Sequence, residues 1–190
     1  LRPTTGKLTI STNDATFDYR WNNAINYETD AISAVVEDTV TDIKSAAFKL
    51  QGFKISDTAV GITNIKSHTF VSCTNLEQIR LPSSVTSIGE YAFYDNKKLA
   101  LTNLPRDLET IENYAFQYCA DLALTELPSK VTSIRYMAFS GCKNLALTAL
   151  PDGVTSIKYQ TFENCINLKQ MAFPPDLTII GTSAFADCTA

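Results

Sequence analysis

The chain has 190 residues, 45% apolar and 19% charged, a globular composition that can build a core and excludes a disordered tail. Its net charge of −4, with no Lys/Arg block, gives no electrostatic footprint for nucleic acid or an anionic membrane. No apolar run approaches the ~18 residues of a transmembrane helix, and a single histidine, His68, puts Ser-His-Asp, Cys-His and multi-His metal chemistry far behind.

Residues 1–37 are atypical and are expected to form an N-terminal β cap. The chain opens at Leu1, as a mature or trimmed segment would. Leu8 to Ser11 reads as a short strand by its β-branched content. Phe17 and Trp21 are the apolar lid such a cap needs.

From residue 38 to 190 the sequence repeats. Phe48, Phe70, Phe93, Phe116, Phe139, Phe162 and Phe185 follow one another in one step of 22 and five of 23 residues. An isoleucine stands five before each, from Ile43 to Ile180. Val or another aliphatic residue stands three before that, from Val40 to Leu177. Cys73, Cys119, Cys142, Cys165 and Cys188 stand three after, with Asn96 filling the gap. Leu76, Leu99, Leu122, Leu145 and Leu168 stand six after. A Leu-Pro or Phe-Pro pair closes five of the coils, from Leu81-Pro82 to Phe173-Pro174. A period of 23 is that of a solenoid, whose coils bury an apolar edge only by stacking. Six to seven coils are expected, with the Phe48 coil degenerate and one residue short.

Segments such as "LPSSVTSIGEYAFYDNKKL" and "LPDGVTSIKYQTFENCINL" resemble the BspA-like leucine-rich repeat, over about residues 40–190. The resemblance implies an α/β repeat solenoid: right-handed leucine-rich-repeat coils with a main sheet of short strands. It also implies an exported, extracellular or cell-surface protein used in adhesion and protein–protein contact. Within a coil, "LEQIRLP" is expected as the strand, ended by a proline that has no N–H to give. "SSVTSIG" is expected as an extended or turned return on the other side. "EYAFYDN" and "RYMAFSG" are expected as single helical turns with Phe buried.

Three coils read "LALT", placing Leu101, Leu124 and Leu147 one position earlier than Ile79 or Met171. These leucines fill the core around a bulge, or they form an exposed ladder for a partner; an apolar column in a repeat favours the core. The cysteines stack one coil apart and point the same way, so they do not converge on a metal. Cα atoms ~4.8 Å apart fit a disulfide, but parallel Cβ vectors hold the Cβ atoms wider than the ~3.8 Å a bridge prefers. A ladder of buried thiols, each near a loop carbonyl, is the expectation.

No catalytic, metal or cofactor site emerges. Paired acids such as Asp107 with Glu109, or Glu37 with Asp38, lie on turns with no implied cleft, and His68 reads as a solvated turn residue. Two surfaces are candidates for binding. One is the strand face, with Glu77, Arg80, Asn103 and Glu126 varying beside Ala149 and Ala172 in an otherwise strict repeat. The other is an aromatic face of Tyr91, Tyr114, Tyr136 and Tyr159, near Tyr94 and Tyr118; these rings cover seams between coils or offer a surface to protein or glycan. A non-enzymatic binding module is the leading reading, its partner a host or matrix protein or a glycan; the alternative is a structural spacer in a larger surface protein. The last coil stops five residues after Phe185, so the chain continues beyond Ala190 or a second copy covers the end through Phe173, Leu177 and Ile179.

Overall fold

A computed structural model describes the backbone of residues 7–10 and 33–36, and residues 62–74 and 76–190 in full. Two four-residue strands, β1 (Lys7–Ile10) and β2 (Ser33–Val36), pair in parallel, with Leu8 opposite Ala34 and Ile10 opposite Val36. The expected lid residues Phe17 and Trp21, the acids Glu37 and Asp38, and the Phe48 coil lie outside the described residues.

The regular coils each contribute a two-residue strand: β3 (Asn64–Ile65), β4 (Ser87–Ile88), β5 (Thr110–Ile111), β6 (Ser133–Ile134), β7 (Ser156–Ile157) and β8 (Ile179–Ile180). Pairing among these coils is parallel and in steps of 23 residues, so Ile65, Ile88, Ile111 and Ile134 lie side by side. Strands β3 to β6 form one sheet, and β7 and β8 form another. In β3 to β7 the isoleucine points into the core and the polar residue before it stays half-buried, as period-two alternation requires.

The strands therefore lie on "VTSI", not on "LEQIRLP", where the sequence reading put them. The difference lies in the backbone ladder. On the "VTSI" side several N–H groups of a coil cross to the coil before it, as Thr132, Ser133 and Arg135 do to Glu109 and Ile111. On the leucine side the chain presents two consecutive exposed residues before the closing Leu, such as Thr125–Glu126. Pairing there shrinks to single bonds, such as Ala123 N–H to Leu101 C=O at 3.0 Å, and one bridge between Ala149 and Ala172.

The segments around the phenylalanines are not helical turns either. Every described coil holds a left-handed residue two before and two after its Phe, for example Tyr91 (φ 55°) and Asp95 (φ 58°), or Tyr114 (φ 58°) and Tyr118 (φ 62°). Such residues, each costing ~1–2 kcal/mol when not glycine, cannot sit inside an α-helix. They turn alternate N–H groups along the solenoid axis instead. His68, Phe70 and Ser72 donate to Glu90, Ala92 and Tyr94 of the next coil at 2.9, 2.8 and 2.8 Å. The residues between them bond back within their own coil, as Val71 N–H does to His68 C=O at 3.3 Å. Each turn segment is thus a second inter-coil ladder, and these bonds offset the backbone cost.

The core is a set of columns running along the solenoid. Phe70, Phe93, Phe116, Phe139 and Phe162 are fully buried. Their rings stack face to face, with centroids 5.0, 5.2, 5.6 and 5.7 Å apart and planes within 11° of parallel. Leu101, Leu124 and Leu147 are buried beside Leu99, Leu122 and Leu145, so they belong to the core and are not an exposed ladder.

The cysteine column behaves as the spacing suggests. Cys119, Cys142, Cys165 and Cys188 are free thiols, and each donates to the Phe carbonyl of the preceding coil at 3.0 to 3.2 Å. Asn96 does the same work with its amide, donating to Phe70 C=O at 2.8 Å and Phe93 C=O at 2.7 Å. Burial pushes the thiols of Cys119, Cys142 and Cys165 far up in pKa, which holds them protonated and unreactive.

Candidate binding surfaces

On the leucine side, Glu77, Arg80, Asn103 and Glu126 are all exposed. Arg80, Asn103 and Glu126 fall in one file on successive coils, continued by exposed Ala149 and Ala172. Glu77 stands apart, three residues ahead of Arg80, in a file continued by half-buried Ala100, Ala123 and Ala146. The Glu77 file ends in exposed Lys169, so the charged groups of the two files are Glu77, Arg80, Glu126 and Lys169, spread along the solenoid with alanines between.

The turn side carries more. His68, Tyr91 and Tyr114 occupy the left-handed position two before each Phe, 23 residues apart, and the backbone stacks them. The His68 and Tyr91 rings lie 5.0 Å apart, and Tyr91 and Tyr114 lie 4.5 Å apart with planes 10° from parallel. Tyr94 meets Tyr91 edge-on at 5.4 Å, and Tyr118 meets Tyr94 edge-on at 5.6 Å. The Tyr118 ring reaches over Gly141, where a Cβ would sit 2.7 Å from Tyr118 Cδ1. Five rings thus form one continuous ridge across three coils, resting on a fourth.

The sequence reading groups Tyr91 and Tyr114 with Tyr136 and Tyr159 in one face and reads His68 as a solvated turn residue. The missed signal was the equal spacing of His68, Tyr91 and Tyr114. Edge contacts between different offsets, which join Tyr94 and Tyr118 to them, follow from side-chain packing alone. Tyr136 and Tyr159 share a separate file one residue earlier in their coils; both are exposed, and no ring contact joins them to the ridge among the described residues. His68 is exposed, as expected, but it is stacked rather than free in solvent.

The ridge is amphipathic. Burial against its neighbours pushes the Tyr91 phenol up in pKa, helped by Tyr114 and Glu90. Burial and the nearby Tyr118 and Asp95 do the same for Tyr94. Both hydroxyls stay protonated near neutrality and can donate hydrogen bonds, while Tyr118, at 44% exposure, offers ring surface.

The acids are engaged elsewhere. Asp107 bonds Lys130 at 2.6 Å and lies 3.6 Å from Arg106, and Lys130 holds its carboxyl below the usual range. Among the described residues, no group of three His, Cys, Asp or Glu side chains is placed to hold a metal, and no helix is long and apolar enough to cross a membrane. In the last coil Ile180 is 53% exposed, whereas Ile157 in the same file is buried, and Phe173, Ile179 and half-buried Leu177 lie beside Ile180.

The sequence profile of the family described as "BspA type Leucine rich repeat region" matches six copies across residues 21–146 and 146–190. Among curated proteins, none matches the chain. Similar crystal structures include a leucine-rich repeat protein of T. pallidum, 29% identical, with a TM-score of 0.74 over 84% of this chain and 77% of that one. A leucine-rich cell surface protein of Faecalibacterium prausnitzii A2-165 is 30% identical, with a TM-score of 0.66 over 98% of this chain and 46% of that one. A leucine-rich repeat protein of Bacteroides ovatus is 24% identical, with a TM-score of 0.68 over 92% of this chain and 47% of that one. This chain therefore spans less than half the length of the latter two.

Proposed function

The chain belongs to the BspA-type leucine-rich repeat family, and from that premise we propose that it is a non-enzymatic, surface-exposed or secreted adhesion module whose protein partner docks on the aromatic ridge. The observation that carries this reading is the contiguous cluster of His68, Tyr91, Tyr94, Tyr114 and Tyr118. Tyrosine-rich patches with apolar bodies and donor tips are the usual anchors of protein interfaces. The rings also lose little entropy on binding, because stacking already fixes them. A surface location is supported by the cell-surface protein of Faecalibacterium prausnitzii, whose fold this chain shares.

The test is a binding screen of the folded chain against immobilised matrix proteins and a glycan array. Tyr94→Ala and Tyr118→Ala should each weaken binding to the protein hit on the order of 30-fold, the scale of an interface hot spot. Arg80→Ala with Glu126→Ala should leave it unchanged. The reverse pattern would move the site to the leucine side, and a glycan hit sensitive to Tyr136 and Tyr159 would make the module a lectin. Failure to bind any target would leave the spacer reading.

A further inference from the structure

One coil junction differs from the others on the strand side. Wherever two successive strands of the regular coils are paired, at least two N–H groups of the later coil cross to the earlier one. Thr132 and Arg135 donate to Glu109 and Ile111 at 3.0 Å each, and Thr178 and Gly181 donate to Thr155 and Ile157 at 2.9 and 2.8 Å. Between β6 and β7 the corresponding donors are Thr155 and Lys158, and neither reaches an acceptor. Side chains do not replace them. At other junctions Lys130 bonds Asp107, Ser84 bonds Ile62 C=O, and Ser87 bonds Asn64. At this one Gly153 stands in register with Lys130 and has no side chain to offer. Among the described residues, no hydrogen bond joins residues 131–134 to residues 154–158.

The other sides of the same junction are closed. Met137, Phe139 and Gly141 donate to Tyr159, Thr161 and Glu163 at 3.1, 2.9 and 2.7 Å, and on the leucine side Ala172 donates to Thr148 at 2.8 Å. Phe139 and Phe162, which span the gap, have the widest ring spacing of the buried stack, 5.7 Å. Ile134 and Ile157 are nevertheless buried, so apolar contact holds the strand side shut, with one bond at its edge from Thr161 Oγ1 to Arg135 C=O at 3.4 Å. Non-directional contact tolerates sliding and tilting that a hydrogen-bonded ladder resists.

We propose that this junction is a hinge. The Phe162 and Phe185 coils swing as one body against the coils before them, and the turn-side bonds of Met137, Phe139 and Gly141 form the hinge line. Water enters the strand side as it opens and serves the free N–H and C=O groups, which would otherwise stay unpaired. The aromatic ridge rides on the first body, so the second can adjust to a bound surface without disturbing it.

The test uses the whole chain in solution. Amide hydrogen exchange should be about 100-fold faster at Thr155 and Lys158 than at Thr132, Arg135, Thr178 and Gly181, while Met137, Phe139 and Gly141 stay protected. Residual dipolar couplings should need one alignment tensor for residues 62–134 and a second, smaller one for residues 157–190. Equal protection at the compared amides would mean the ladder closes in solution and would overturn the hinge. A single tensor that fits both blocks would overturn it as well.

Discussion

Asn96 is the sharpest place to test the column logic, through Asn96→Cys. Its amide nitrogen is well used, but Asn96 Oδ1 is buried without a hydrogen-bond partner. A buried orphan acceptor costs ~1–3 kcal/mol. Cysteine at this position places a thiol where Cys119, Cys142 and Cys165 already sit, within reach of Phe70 C=O. It gives up the bond to Phe93 C=O, worth ~0.5–1.5 kcal/mol. That carbonyl keeps the thiol of Cys119 at 3.0 Å, so no new orphan appears. The balance is a stabilisation of about 1 kcal/mol, or a Tm rise of about 2–4 °C for a chain of this size. Calorimetry on both proteins measures it, and Cys119→Asn provides the mirror experiment, expected to lower Tm by creating a second orphan. A lower Tm for Asn96→Cys would refute the reasoning, by showing that the amide oxygen is served in solution.

Three further outcomes follow from the packing. Phe116 is clasped by rings at 5.2 and 5.6 Å, so Phe116→Ala should cost ~3–5 kcal/mol in urea unfolding; a loss below about 1 kcal/mol would mean the stack relaxes around the hole. The buried thiols make stability fall at alkaline pH, because a raised native pKa adds stability below the unfolded value of ~8.5 and loses it above. For Cys119, Cys142 and Cys165 the loss is about 1 kcal/mol each between roughly pH 8.5 and 9.5. Denaturation midpoints across that range check it, and iodoacetamide should meanwhile label half-buried Cys188 first. Gly89→Ala should destabilise by ~1–3 kcal/mol, since its Cβ would fall 2.7 Å from Ser67 N and 2.8 Å from Ile65 O; an unchanged melting curve would show that the coils can part there.

The sequence by itself determined the solenoid, the coil length and the occupants of the Phe, Ile, Cys and Leu columns; the buried column of Ala92, Ala115, Ala138 and Ala184 emerged only in the structure. A period of 23 kept by several independent columns has one physical solution, the stacking of like on like. The thiol-to-carbonyl ladder and the inward turn of Leu101, Leu124 and Leu147 were legible for the same reason. The tertiary structure decided which stretch of each coil pairs as strand. Periodicity fixes what is buried, whereas pairing depends on where successive coils bring their N–H and C=O groups within reach, which burial does not reveal. It also decided that the segments around each Phe are left-handed turns bonding between coils, since tyrosine, methionine and glutamine carry no local preference for positive φ. The aromatic ridge was half legible. Tyr91 and Tyr114 follow the repeat, but Tyr94 and Tyr118 join them through edge contacts across different offsets, which side-chain packing in three dimensions sets. The gap between β6 and β7 left no mark beyond Gly153, because hydrogen bonds that fail to form depend on the tilt between neighbouring coils.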